Sequence, residues 1–198
     1  MKQSLNKLHV TKAEINQLPM NRYTGPIHLI GTADEAEHAA KYLQKEKILG
    51  FDTETRPAFH VGESYHPSLL QLASEKDVFL FQIKKTGLTK GLCELLSSPD
   101  ILKSGVSIRD DVNELRKLTD FEPAGFVELA THAKKAHIKN LGLRGMAALL
   151  LGFRISKREQ VSNWARVDLT DSQITYAATD AWLGREIYLH MDTLGLIS

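Results

Sequence analysis

The chain has 198 residues, of which 42% are hydrophobic and 25% charged. That length suits one domain with a sizeable core, and the composition excludes disordered, fibrous and membrane-embedded classes. With 25 Lys+Arg against 24 Asp+Glu the net charge is +1, which excludes coating of nucleic acid by bulk electrostatics and makes any phosphate binding local.

Residues 1–25 are read as an N-terminal extension and residues 26–198 as the main domain. The first residues lack the apolar stretch of a secretion signal, and no segment reaches the ~20 apolar residues that span a bilayer, so a cytoplasmic protein without membrane contact is expected. Thr11-Lys12-Ala13-Glu14 matches a capping box for a short helix that Pro19 ends. Ile27–Ile30 reads as a strand, and Thr32-Ala33-Asp34-Glu35 opens an Ala-rich helix running to about Glu46. Three apolar runs follow, Ile48–Thr55, 68–73 and 78–83, and the last two read as a hairpin across a tight turn at 74–77. A helix over about 88–96 holds the single cysteine, Cys93, which has no disulfide partner and reads as a core filler in a reducing compartment. Next come a strand at 101–106, a helix at 111–118, a strand at 125–127 and a helix at 131–135. Residues 141–151 read as a helix stopped by Gly152, and 153–169 as a loop. Thr170-Asp171-Ser172-Gln173 then caps a long closing helix to about Leu194, with Gly195 as its stop. Strands alternating with helices after an initial hairpin predict an α/β fold, a mixed sheet with helices on its faces.

Three constellations carry chemistry. Asp52 and Glu54 close the apolar run Ile48-Leu49-Gly50-Phe51, and residues two apart on a strand project from one face, so two carboxylates converge where buried sheet becomes cleft. Tyr176 and Asp180 stand four apart on the closing helix and share a face. Asp111, with Asp110 as its alternative, sits where the strand ending at Gly105-Val106 turns into a helix. Each alone has a plain structural reading: a solvated strand end, a buried Tyr with a partnered Asp, an acid offsetting a helix dipole. Together, Asp52, Glu54, Asp111 and Asp180 offer an all-oxygen site for hard divalent cations such as Mg²⁺ or Mn²⁺. His132 and His137 have no third ligand nearby and read as a solvated helix face.

This arrangement resembles the DnaQ-like 3′–5′ exonucleases, in the tyrosine-containing branch that includes RNase D, the proofreading domain of family A DNA polymerases and the Werner syndrome helicase exonuclease domain. Phe51-Asp52-Thr53-Glu54-Thr55, Gly105 through Asp111 and Tyr176 through Asp180 resemble that family's three motifs. Leu69-Leu70-Gln71-Leu72 and Ser162-Asn163-Trp164 are similar to stretches shared by the RNase D and Werner-type members.

The resemblance implies an RNase H-like fold and hydrolysis from the 3′ end that releases 5′-mononucleotides. It also implies two metal ions, with Asp52 bridging them, Glu54 and Asp180 on the first and Asp111 towards the second, while Tyr176 orients the attacking water. Nucleic-acid 3′ ends are the implied partner. Arg56, Arg109, Lys157, Arg158 and Arg166 are candidates for backbone phosphate, and Phe59 or Trp164 for stacking on a base. RNase D carries helical domains after its catalytic unit, and their absence after Asp180 tilts the expectation towards DNA. An RNase D-like exoribonuclease and a catalytically silent nucleic-acid-binding domain are the alternatives.

Overall fold

The computed structural model describes residues 7–58, 60 and 62–197. Six strands form one sheet in the order β1-β4-β3-β2-β5-β6, with β1 Ile27–Ile30, β2 Ile48–Thr55, β3 Pro67–Ala73, β4 Val78–Gln82, β5 Leu102–Gly105 and β6 Phe126–Glu128. The pairs β2/β3 and β3/β4 are antiparallel and the others parallel, so the sheet is mixed as the alternation of elements predicts. All of β3 and β4 is buried, because the sheet is covered on both faces, which is why these strands read as continuous apolar runs.

One face packs on α2 Ala33–Leu43, α4 Lys90–Ser97 and α5 Ile108–Leu118. Leu49, Phe51, Leu70, Leu72 and Phe81 meet Ala36, Ala40, Leu92, Leu95 and Leu115 there. The other face lies under α8 Asp171–Thr193, the long helix that Thr170 and Gln173 cap as expected. Gly50 and Gly184 let this helix come close. A Cβ on Gly50 would stand 1.8 Å from the Ala181 carbonyl oxygen, and one on Gly184 would stand 2.5 Å from that of Ser104. The side chains of β2 therefore alternate between an apolar core and the underside of α8.

Several boundaries differ from expectation. α5 begins at Ile108, three residues before Asp111, because the Glu128 carboxylate at the end of β6 accepts from the Ser107 and Ile108 amides at 3.0 and 2.9 Å. A distant acid thus satisfies donors that a helix start leaves open. The predicted helix over 141–151 is instead a short α7, Leu143–Met146, followed by a π-helical turn, Ala147–Leu151. The wider turn lets Ala147 and Leu150 face the α8 core while Ala148 faces Val10 and Ile15 of the N-terminal segment. A four-residue helix, α3 Ile83–Thr86, also follows β4 where no separate element is expected. The helix α6 Leu129–Lys135 completes the set with α1 Lys12–Gln17, whose Thr11–Glu14 capping box forms. No helix of the described residues is long and apolar enough to cross a membrane.

Candidate active site

At the end of β2, Asp52 and Glu54 turn towards α8, while Thr53 between them points the other way. Asp180 meets them from α8, which Gly50 lets close onto β2 and Gly184 onto β5. One carboxylate oxygen from each of Asp52, Glu54 and Asp180 lies within 4.8 Å of the others. Asp111 and Tyr176 line the same cleft of about 530 Å³. Asp111 stands outside the tight trio; its Oδ1 accepts a 2.6 Å hydrogen bond from the Thr53 hydroxyl. Asp110 is exposed and lines a different surface hollow with Asn113 and Lys117, which selects Asp111 as the acid facing the cleft.

Burial and mutual repulsion raise the acids together. Desolvation, then the charges of Asp180 and Asp111, pushes Asp52 well above the usual carboxylate range. Desolvation and Asp52 push Glu54 up to about 10. Asp180 rises to about 7 through burial, against the lowering effects of Tyr176 and Lys157. Asp111 is raised mainly by burial, with Thr53 opposing. The Tyr176 phenol is pushed up by burial and then by Asp180, so it stays protonated at neutral pH. Lys157 offsets this repulsion only in part, at Asp180, and a divalent cation supplies the remaining positive charge.

Unpartnered polar atoms gather here as well. Among the described residues, the buried side-chain atoms without a hydrogen-bond partner belong to Asp180, Arg144, Trp164 and Gln71. Asp180 and Arg144 line the cleft, Trp164 touches Tyr176, and Gln71 pairs opposite Asp52 in the sheet. Leaving such atoms without partners costs about 1–3 kcal/mol each, so a fold tolerates them where a ligand or water completes them. The Asp180 Oδ1, only 7% of its residue being exposed, is an acceptor suited to a hard cation. The donor set is all oxygen and fits a metal-dependent enzyme.

The proposed substrate contacts divide. Lys157 lines the cleft beside Asp180. Arg56 lies over the Tyr65 ring at 4.8 Å, in a separate hollow with His66. Arg109 and Arg166 are exposed and do not line the acid cleft. Trp164 is a correction: it is 2% exposed, its ring centroid 5.9 Å from that of Tyr176, so its faces are covered by protein and it offers no surface for a base. Phe59 lies outside the described residues. Sequence reasoning missed Thr53 and Arg144. Thr53 was signalled only by standing between two acids, and Arg144 by the glycines on either side of its Leu143-Arg144 pair.

A mixed sheet with helices on both faces and a carboxylate cluster at the end of a central strand defines the RNase H-like exonuclease class. A family model described as a 3′–5′ exonuclease matches residues 27–195, and the chain belongs to that family. The bifunctional 3′-5′ exonuclease/ATP-dependent helicase WRN of Mus musculus is 32% identical over 190 residues, covering 91% of this chain and 14% of that protein. The exonuclease mut-7 homolog of Homo sapiens is 31% identical over 204 residues, covering 87% and 23%. The chain thus spans less than a quarter of the length of these curated relatives. Among solved structures, the Nibbler EXO domain of Aedes aegypti superposes with a TM-score of 0.79 at 23% identity, covering 90% of this chain and 94% of that one. RNase D of Escherichia coli gives 0.74 at 20% identity, covering 86% and 46%. Both show the same fold.

Proposed function

We propose that this chain is an active exonuclease that uses Mg²⁺ or Mn²⁺ to remove 5′-mononucleotides from the 3′ end of a nucleic-acid strand. The observation that carries the reading is the meeting of Asp52, Glu54 and Asp180 within 4.8 Å, in a cleft that also holds Asp111 and Tyr176. A silent binding module has no use for acids that repel both one another and phosphate. Relatives named as exonucleases and as ribonuclease D support a nucleic-acid substrate.

Asp52, Glu54 and Asp180 would hold the first ion, and Asp111, in the same cleft, would serve the second. Divalent ions bound there would supply Lewis-acid stabilisation of the phosphate and of the departing oxygen. Water attacks phosphorus at the last phosphodiester, the bond from phosphorus to the 3′-oxygen breaks, and that oxygen takes a proton. Tyr176 keeps its own proton, so it orients the water and does not act as an ionised base. The ring of Trp164 packs against that of Tyr176 and restrains the phenol, and the Thr53 hydroxyl fixes the Asp111 carboxylate. Lys157, at the rim, meets the substrate phosphate.

Strands of DNA and of RNA labelled at the 5′ end test this with Mg²⁺, Mn²⁺ or EDTA. Wild type yields a ladder of shortened products with metal and none in EDTA, and Asp52→Asn yields none in either. Equal shortening by wild type and Asp52→Asn would refute the assignment. Which polymer is shortened faster decides between the DNA and RNA readings.

A further inference from the structure

A second hollow meets the acid cleft. It measures about 430 Å³ and shares Ile155, Ser156, Tyr176 and Asp180 with the cleft, so the two adjoin at the same Tyr–Asp pair. One wall comes from Met20, Asn21 and Arg22, which precede the family match at residue 27. The facing wall comes from Arg158 and from Ser172 and Thr175 in the first turns of α8.

The N-terminal wall is stitched in place by backbone. The Asn21 amide donates to the Arg154 carbonyl and the Arg154 amide to the Pro19 carbonyl, both at 2.9 Å. The Arg154 Nε donates to the Leu18 carbonyl at 2.9 Å, and the Tyr23 amide donates to Thr179 Oγ1 at 3.0 Å. Residues 18–23 therefore template both the start of the 154–158 loop and α8 at Thr179, the residue next to Asp180.

The chemistry of this hollow suits a strand. Met20 is 53% exposed; its sulfur accepts from Arg154 Nη1 at 3.9 Å, which leaves the rest of a flexible, polarisable side chain for flat, varied ligands. The guanidinium groups of Arg22 and Arg158 are exposed and make no ion pair or hydrogen bond among the described residues. Of the two other acids there, Glu159 is engaged by the Ser172 hydroxyl at 2.8 Å and Asp171 sits in the first turn of α8, where the helix dipole offsets it. Resting on the exonuclease reading above, we infer that the Met20–Arg22 segment and Arg158 bind the nucleic-acid strand on the 5′ side of the scissile phosphate. A terminal nucleotide brings only the phosphate that is cut, whereas every further phosphate lies on that side. Cations placed beyond the acid cluster match those further charges.

Two measurements test this. In the first, fluorescence anisotropy follows a 5′-labelled single strand, DNA in one arm and RNA in the other, with Ca²⁺ present. Arg22→Ala weakens binding on the order of tenfold and flattens the plot of log binding against log salt by about 0.7. Arg22→Lys restores the slope, and Met20→Ala weakens binding without changing it. In the second, hydrolysis of the p-nitrophenyl ester of thymidine 5′-monophosphate, which has no upstream strand, is set against hydrolysis of the oligonucleotide. Arg22→Ala lowers kcat/KM on the oligonucleotide about tenfold more than on the ester. Unchanged binding, or equal losses on both substrates, would overturn the inference while the exonuclease assignment stands. If wild type cuts neither substrate, the exonuclease reading falls first, and the anisotropy arm still decides whether this segment holds a strand.

Discussion

Two buried charge sites, on opposite faces of the sheet, are built in opposite ways. Lys103 in β5 is 0% exposed, yet its ammonium donates to the carbonyls of Leu95, Ser98 and Ile101 at 3.2, 2.8 and 2.9 Å and lies 5.0 Å from the centroid of the Phe126 ring. Burial pushes its pKa down to about 8, which still leaves it an ammonium at neutral pH with every proton engaged. Across the sheet, Asp52, Glu54 and Asp180 face one another with their repulsion offset only in part, by the Lys157 charge at Asp180, and Asp180 Oδ1 has no partner. A charge that serves the fold is satisfied by the fold. Charges left unsatisfied mark a place where something else binds.

The comparison breaks most visibly through activity. Asp52→Asn is expected to lower kcat by about 10³-fold or more, since several kcal/mol of charge stabilisation depend on the metal site. The same change removes one repelling acid, so the melting temperature in EDTA should rise. A fall in that melting temperature would mean that Asp52 supports the fold as Lys103 does. Lys103→Met is expected to act the other way. It strands carbonyls in the core, costing about 3 kcal/mol and lowering the melting temperature by roughly 6–12 °C, with activity per folded molecule kept.

Metal and pH sharpen the contrast next. The folded-state pKa of Asp180 is raised from 3.8 to about 7 and that of Glu54 from 4.5 to about 10. Below about pH 4 both folded and unfolded chains hold these protons, and the acids cost nothing. As pH rises, the unfolded chain releases them first, so stability falls until the folded groups ionise as well, near 7 for Asp180 and 10 for Glu54. Melting curves in EDTA should therefore drop across this window. At a hundredfold excess over its dissociation constant, Mg²⁺ or Mn²⁺ restores about 2.7 kcal/mol, or roughly 5–10 °C. A metal effect equally large at about pH 4, where the acids are protonated, would count against the cluster as its site.

The smallest effect concerns the phenol. Tyr176→Phe removes one hydrogen-bonding group that keeps its proton, and kcat should fall about tenfold with KM little changed. A loss as large as that of Asp52→Asn would give Tyr176 a proton-transfer role.

Much of the architecture was legible because local rules were strong. Thr11–Glu14, Thr32–Glu35 and Thr170–Gln173 form the capping boxes their spacing implies, and the antiparallel β3/β4 hairpin follows from two apolar runs around a tight turn. The carboxylates were legible as pairs, since strand and helix periodicities put Asp52 with Glu54 and Asp180 with Tyr176. The fate of Trp164 was not, because an indole reads alike in a core and on a surface until its neighbours are known.

From the order of its residues alone, then, this protein determined its strands, its helix starts and the acids that turn up on each element, because those depend on neighbours within one turn or one pleat. Only the tertiary structure decided what crosses between elements. It brought α8 onto β2 through Gly50 and onto β5 through Gly184, so that acids 128 positions apart share a cleft (Asp52 and Asp180). It gave Asp111 the Thr53 hydroxyl, let Glu128 start α5 early, and folded residues 18–23 against Arg154 and Thr179, next to Asp180. These contacts join residues far apart in the chain, and close packing of whole elements, which no local pattern encodes, is what selects them.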